Sequence, residues 1–332
     1  MPEVSVLLPF RDAGATLGSA VASMLGQTFG DFELLVIDDG SRDGSERCLE
    51  GFPDRRLRLL PNRGPAGIVG ALEYGRSQAS GRWIARMDAD DLSLPSRLAR
   101  QLEHGSAHPE RGVVACGAAL IDAVGPGMAR YVEWVNRLVD PRAIADARFV
   151  ECPLIHPTAM VRSEWLERVG GWRDAGWAED HDLWLRLLDA GCAFGRVPEV
   201  LLEWRDSASR LTRSDPRYGE SARMRMRAHF LGRLERVRRQ GVVIAGAGPV
   251  GKSLSRALAG EGIPLRGFFE VNPRRIGERI HGVEVAGPDE FPTRWREAVL
   301  LGAVGIPGGR DRVRALALDH GRVEGEDFWS VC

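Results

Sequence analysis

The sequence predicts an α/β protein in two parts, a large domain on a mainly parallel sheet followed by a small Rossmann-like α/β unit. Three observations predict it. Short apolar runs alternate with segments of helical periodicity, which is the strand–helix–strand order of a parallel sheet. Two of those runs end in carboxylates: Phe32–Ile37 leads into Asp38-Asp39, and Gly81–Ala85 into Arg86-Met87-Asp88-Ala89-Asp90-Asp91. A third, Val242–Ala245, leads into Gly246-Ala247-Gly248-Pro249-Val250-Gly251, a G-x-G-x-x-G loop that opens a helix.

Composition sets the outer bounds. A chain of 332 residues favours two domains, and a net charge of -1 gives no field for a nucleic-acid partner. Arginine carries almost all the basic charge, and Lys252 is the only lysine. The five cysteines are scattered without a C-x-x-C pair, the pattern of reduced thiols in a cytosolic protein. The first residues run directly into the strand Val4–Leu8, and no apolar run is long enough to span a bilayer, so the expected location is cytoplasmic.

Taken in order, Val4–Pro9 reads as a buried strand and Arg11–Gly14 as a loop. Leu17, Ala20, Val21, Met24 and Leu25 share a helix face. Phe32–Ile37 is the second strand, and Asp43-Gly44-Ser45 should cap the next helix. Leu57–Leu60 reads as a strand, Gly70–Ala79 as a helix, Gly81–Ala85 as the strand into Asp88, and a helix is expected from Pro95. In a parallel sheet the ligand side is the carboxyl end of the strands, where Asp38, Asp39, Asp88 and Asp90 all fall. Carboxylates gathered there repel one another and are costly to desolvate, so they call for a cation. Hard oxygen ligands suit Mg²⁺ or Mn²⁺. The plain alternative is a solvated acidic turn.

The run from Val4 through Gly44, then Asn62-Arg63-Gly64, then Arg86–Asp91 and Pro95-Ser96-Arg97-Leu98, resembles family 2 glycosyltransferases over about residues 1–210. These are inverting enzymes of the GT-A fold that use nucleotide-activated sugars. The resemblance implies a GT-A type nucleotide-diphospho-sugar transferase domain. It implies a donor-nucleotide site at Pro9, Arg11, Asp39, Arg63 and Asp88, with Asp39 on the base, commonly uracil N3–H. Asp90 is then the metal contact, with Asp88 toward ribose or metal. Asp91 is left to capping or support and Asp38 to the turn. Arg11 departs from the family pattern, since many relatives carry an aromatic residue there.

Val113–Gly117 reads as a further strand, and residues 122–141, with Tyr131 and Trp134, as a less patterned segment. Ile155-His156-Pro157-Thr158 and Val169-Gly170-Gly171-Trp172 continue the resemblance. His156 is read as a packed, hydrogen-bonded residue rather than an acceptor ligand. Leu183, Trp184, Leu187 and Leu188 lie at helical spacing, which places Glu179 and Asp180 at a helix N-terminus. A helix dipole would lower the pKa of Asp180, whereas desolvation or Glu179 would raise it. By resemblance Asp180 is the general base of an inverting transfer, beside Glu179. Leu201–Arg205 and Ser207-Ala208-Ser209 resemble the strand and loop that close the family's catalytic domain, with Arg205 either a diphosphate ligand or a surface ion-pair partner.

The expected domains are residues 1–216, a basic helix at 217–240, and residues 241–332. The basic helix carries Met226, Phe230, Leu234 and Val237 on one face. It reads as a connector packed on protein, with peripheral contact at the inner membrane face as the second reading. In the last domain Gly246, Gly248 and Gly251, with Glu270 ending the next strand, fit a dinucleotide loop. The same loop also has P-loop spacing through Lys252-Ser253, but the later strand Ala298–Val304 ends in no aspartate. A nucleotide site and a purely structural role both stand for this unit.

The function expected is metal-dependent, inverting transfer of a sugar from a UDP-sugar-type donor to a hydroxyl of a glycan, lipid-linked or protein acceptor. The alternatives are an idle nucleotide-sensing protein and an NAD(P)-dependent oxidoreductase using the C-terminal loop.

Overall fold

The computed structural model describes residues 1–122, 125–207 and 210–332. Ala208 and Ser209 of the expected closing loop lie outside the described residues. The chain forms two compact units, one of residues 1–144, 153–175 and 179–214, the other of residues 145–152, 176–178 and 215–332.

The first unit is built on eight strands: β1 (Val4–Phe10), β2 (Phe32–Asp38), β3 (Leu57–Pro61), β4 (Trp83–Arg86), β5 (Leu92–Ser93), β6 (Arg111–Ile121), β7 (Met160–Arg162) and β8 (Ala193–Arg205). Their order is β3-β2-β1-β4-β7-β6-β8-β5. The first four are parallel, β7 runs antiparallel to both β4 and β6, and β8 returns parallel to β6. β1 and β2 read as continuous apolar runs because both faces are covered. Val6, Leu8, Leu34 and Val36 pack on one face with Leu17, Ala20, Val21 and Met24 of the helix Leu17–Leu25. Leu7 and Ile37 face Gly75 of the helix Ile68–Gln78 on the other.

Register decides where the carboxylates end up. Leu7 pairs with both Leu35 and Arg86, and Phe10 pairs with Asp38. The residues just beyond β2 and β4 therefore leave the sheet at one edge. Asp39 N–H donates to the Phe10 carbonyl at 2.9 Å and Met87 N–H to that of Leu7 at 3.0 Å. Arg97, fully buried in the helix Arg97–Ala107, donates to the Arg86 carbonyl at 2.8 Å and to Gln101 Oε1 at 3.1 Å. Gln101 in turn donates to the carbonyls of Val114 and Thr158 at 2.6 and 2.9 Å. A buried guanidinium is tolerable only when its donors find acceptors, and here they fasten the end of β4.

The second unit holds β9 (Val242–Ala245), β10 (Leu265–Phe269), β11 (Arg279–Ile280), β12 (Val283–Ala286), β13 (Val299–Gly302) and β14 (Phe328–Ser330), ordered β11-β12-β10-β9-β13-β14. All neighbours are parallel except β11 on β12. Without β11 this is the 3-2-1-4-5 order of a doubly wound Rossmann sheet. Residues 217–240 are not one helix. They hold the helices Glu220–Leu231 and Glu235–Gln240, separated at 232–234, where Leu234 is extended. The side chains of Met226, Phe230 and Val237 are fully buried and Leu234 is half-buried, so most of the apolar stripe is spent on packing. Among the described residues no helix is long and apolar enough to cross a membrane.

Gly70 tests the close packing that shapes the first unit's edge. A Cβ there would lie 1.7 Å from the Pro65 carbonyl oxygen. Gly70→Ala is expected to cost about 2–3 kcal/mol in urea unfolding. Gly127→Ala, in the helix Pro126–Asn136 with open space around it, should be neutral or gain up to about 1 kcal/mol.

Candidate active site

Asp39 sits half-buried just past β2. Its Oδ1 accepts from Asn62 Nδ2 at 2.7 Å and its Oδ2 from the Gly67 N–H at 2.8 Å. The loop after β3 thus folds back to orient the carboxylate, and Asn62 is the residue that does so, not its neighbour Arg63, which is exposed. The turn Asn62-Arg63-Gly64 marked the loop; only the fold shows which side chain reaches Asp39. Asp38 closes the turn by accepting from Ser41 N–H at 2.9 Å. Pro9 is buried in β1, paired with Ile37. Arg11 is exposed and lies 3.9 Å from the carboxylate of Asp12.

At the end of β4, one carboxylate oxygen from each of Asp88, Asp90 and Asp91 falls within 4.8 Å of the others. Their states differ because their neighbours differ. Burial pushes Asp88 up, but the Arg86 guanidinium, with Arg210 beyond it, more than offsets that and holds it below the ordinary carboxylate range. Arg86 Nη2 donates to Asp88 Oδ1 at 2.5 Å while its other arm bonds the Met87 carbonyl. Asp90 is raised, first by burial and then by Asp88. Asp91 is raised well above the usual range by complete burial and by both neighbours. Its Oδ1 accepts from Arg205 N–H at 2.8 Å, whereas its Oδ2 has no hydrogen-bond partner among the described residues. An oxygen-only set, over-full of negative charge and with one orphaned buried oxygen, fits a hard divalent cation.

Arg205 does not face this cluster as a free cation. Its guanidinium bonds the Asp90 carbonyl at 2.9 Å and pairs with Asp122. Arg210, stacked 4.2 Å over Trp204, is the cation that acts on all three aspartates. Arg86 and Arg210 both escaped the sequence reading. A basic residue closing a buried strand was the available signal for the first.

The helix Glu179–Asp189 brings the second acidic pair. Asp180 is pushed up to about 7, by burial first, then by Glu179 and, more weakly, by Asp88; a bond from His181 N–H at 2.7 Å opposes the shift. Burial and like charge therefore outweigh the helix terminus. Two residues on, the fully buried Asp182 is neutralised by Arg186 at 2.6 Å and Arg173 at 3.0 Å. His156 is buried against the same helix, with Nδ1 3.9 Å from Glu179 Oε1 and Nε2 3.1 Å from Trp172 Nε1.

Strands lie about 4.8 Å apart, so Asp39 and the β4 cluster, two strands away, sit roughly 10 Å from one another along one edge. A cavity of ≈ 480 Å³ opens elsewhere, lined by Arg76, Arg82, Arg162 and Glu164. Its arginines are engaged: Arg76 with Glu73, Arg82 with Glu3, and Arg162 with the carbonyls of Gly105 and Arg111.

In the second unit, Gly246 has φ +110 and a Cβ on Gly251 would meet the Gly246 carbonyl oxygen at 2.0 Å. Gly248 has φ −75 and open space around it. Glu270, just past β10, accepts from Ala247 N–H at 3.1 Å and from Val271 and Asn272 N–H at 2.9 and 3.1 Å. Arg275 bonds the Ala247 carbonyl.

Comparison with known proteins agrees with this architecture. The family described as glycosyl transferase family 2 matches residues 5–170. EpsE of Bacillus subtilis strain 168, a putative glycosyltransferase by name, is 30% identical over 218 residues, 64% of this chain and 76% of EpsE. The chain belongs to glycosyl transferase family 2. It is a glycosyltransferase, and its first unit has the GT-A fold. A shorter stretch of 99 residues is 37% identical to WfgD of Escherichia coli, a UDP-Glc:alpha-D-GlcNAc-diphosphoundecaprenol beta-1,3-glucosyltransferase, covering 30% of this chain and 39% of WfgD. The mannosyltransferase PcManGT of Pyrobaculum calidifontis, solved with GDP-Man and Mn²⁺, superposes with a TM-score of 0.51 and 22% identity, over 78% of this chain and 70% of that one.

The raised Asp180 has a consequence for stability. It holds a proton to about 7 when folded and releases it near 3.8 when unfolded. The folded state therefore binds more protons between those values, and stability falls as pH rises from about 4 to about 7. In chelator, Asp180→Asn should melt above the parent protein at pH 8, with the gap closing at pH 4. Equal melting points at both pH values would contradict the burial assigned to Asp180.

Proposed function

We propose that this glycosyltransferase moves a sugar, with inversion, from a UDP-sugar to a saccharide hydroxyl in glycan or cell-envelope polysaccharide synthesis. One observation carries the reading: Asp88, Asp90 and Asp91 gather within 4.8 Å at the end of β4, with Asp180 near enough to feel Asp88. The names of WfgD and PcManGT, acting on UDP-Glc and binding GDP-Man with Mn²⁺, support a nucleotide-sugar donor and a divalent ion.

The roles follow from the chemistry. Asp39, oriented by Asn62 and Gly67, accepts the N–H of the base. Asp90 and Asp88 would hold Mn²⁺ or Mg²⁺, which neutralises charge on a departing diphosphate. Asp91, tied to Arg205 and buried, braces the pair from behind. Asp180 takes the proton from the acceptor hydroxyl as its oxygen attacks the anomeric carbon. The bond from that carbon to the nucleoside diphosphate breaks on the opposite face. A base with a pKa near 7 is matched to that task, because it is both ionised and basic at neutral pH.

Calorimetry with UDP, GDP and dTDP, each with and without Mn²⁺, tests the donor. UDP should bind with Mn²⁺ and lose at least about tenfold in affinity in Asp90→Ala. Asp180→Asn should bind UDP as the parent does and lose about 10²–10⁴-fold in kcat. Metal-independent binding, or retained turnover in Asp180→Asn, would overturn these roles.

For the second unit we propose a ligand that carries a ribose and a diphosphate. Gly246 and Gly251 are required by the chain's own backbone, but nothing among the described residues requires glycine at 248. A ligand approaching that backbone would. Glu270 would receive a ribose hydroxyl, and Arg275 lies at the loop for phosphate charge. In Asp90→Ala protein with chelator, NAD⁺ or UDP-GlcNAc should still bind, and Gly248→Val should abolish that binding without lowering the melting temperature. No binding by either compound would leave this unit a structural one.

A further inference from the structure

Arg86 is a costly residue to bury, and fastening the end of β4 does not account for it. It occupies the last position of the strand at 4% exposure, directly before the aspartate cluster. One arm donates to Asp88 Oδ1 at 2.5 Å and the other bonds the Met87 carbonyl. Both partners are its own near neighbours along the chain, so these bonds tie no distant element. The strand end is held instead by Arg97, which donates to the Arg86 carbonyl at 2.8 Å. Arg86 Nε is buried with no hydrogen-bond partner among the described residues, which is unfavourable for a guanidinium. What the side chain adds is a fixed positive charge on the cluster. It is reinforced by Arg210, which acts on Asp88, Asp90 and Asp91, and by the buried Arg97, which acts on Asp91.

An arginine against a carboxylate does two things to a metal site. It occupies an oxygen that would otherwise be offered to the ion, here Asp88 Oδ1, and its charge repels an incoming cation. We infer that Arg86 is a positioning residue that keeps Asp88 from gripping a divalent ion in the absence of nucleotide, so that the ion is held only together with the diphosphate of the donor. The inference rests on Asp88 and Asp90 as the residues that hold the metal. A diphosphate carries the negative charge that offsets Arg86 and Arg210, and it carries oxygens to fill the ion's shell. Mg²⁺ in particular is held by one or two carboxylates plus substrate phosphates rather than by a cage made wholly of protein. The same arrangement lets ion and nucleoside diphosphate depart together once the sugar has moved.

Binding of Mn²⁺ alone, read from the electron paramagnetic resonance of the free ion, tests this without turnover. The full-length parent should hold Mn²⁺ only weakly without nucleotide, while calorimetry should show UDP binding at least about tenfold tighter with Mn²⁺ than in chelator. Arg86→Gln keeps a neutral donor for Asp88 and removes the charge, so it should bind Mn²⁺ alone at least about tenfold tighter than the parent. Arg86→Lys keeps the charge and should bind Mn²⁺ as weakly as the parent. A role confined to holding the strand end has the opposite sign: Arg86→Gln would then lose Mn²⁺ affinity. That loss, or an unchanged affinity, would overturn the inference. So would a parent protein that retains Mn²⁺ through gel filtration without nucleotide, a result that needs no variant to fold. If UDP binds the parent equally well with Mn²⁺ and in chelator, the metal reading of Asp88 and Asp90 falls, and the inference falls with it.

Discussion

The catalytic unit depends on an imbalance of charge at the carboxyl ends of β2 and β4. Three aspartates crowd within 4.8 Å, with Asp180 close enough to feel Asp88, while Arg86, Arg210 and the buried Arg97 are cations placed against the cluster. Like charges in a poorly hydrated place cannot all stay ionised at their ordinary values. The fold settles the conflict residue by residue. Asp88 receives Arg86 directly and falls; Asp90, two residues further along, feels Arg86 only weakly and rises; Asp91, deeper still, rises furthest. One residue type thus takes three states within four positions, and the negative charge that remains is of the kind a hard divalent cation would neutralise.

Much of this edge was legible in the sequence because burial on both faces turns a strand into an unbroken apolar run. β1, β2 and β4 could be read that way, and so could the carboxylates at their ends. The helix carrying Asp180 was legible from the spacing of Leu183, Trp184, Leu187 and Leu188. What could not be read were contacts between residues distant along the chain. Asn62 reaches Asp39 only because the loop after β3 folds back, and Arg210 reaches the β4 cluster only because β8 ends beside it. The opposing effects on Asp180 were visible as well, but their balance needed the depth of burial. The break at 232–234 escaped for a different reason: Met226, Phe230, Leu234 and Val237 keep helical spacing straight through it, and spacing alone does not register a residue that turns extended.

The second unit makes the same point about what a motif can carry. Its glycine loop satisfies two spacings at once, and the loop residues by themselves do not choose between them. The strand order does, because β10 lies directly beside β9 and delivers Glu270 back to the Ala247 N–H. That contact couples the acid at the end of the second strand to the loop at the end of the first.

A common logic runs through the carboxylates of the first unit. Where a charge is to be kept low and fixed, the fold places arginine against it: Arg86 on Asp88, Arg186 and Arg173 on Asp182. Other carboxylates of the site have neutral hydrogen-bond partners. Asn62 and the Gly67 amide hold Asp39, and the His181 amide contacts Asp180. A cation at any of these last positions would orient the group and quench it together. Because Asp182 lies only two residues from Asp180 on one helix, its complete neutralisation matters as much as the neutrality of the other holders. It pairs off a buried charge two residues from Asp180, whose own upward shift comes first from burial, then from Glu179 and, more weakly, from Asp88.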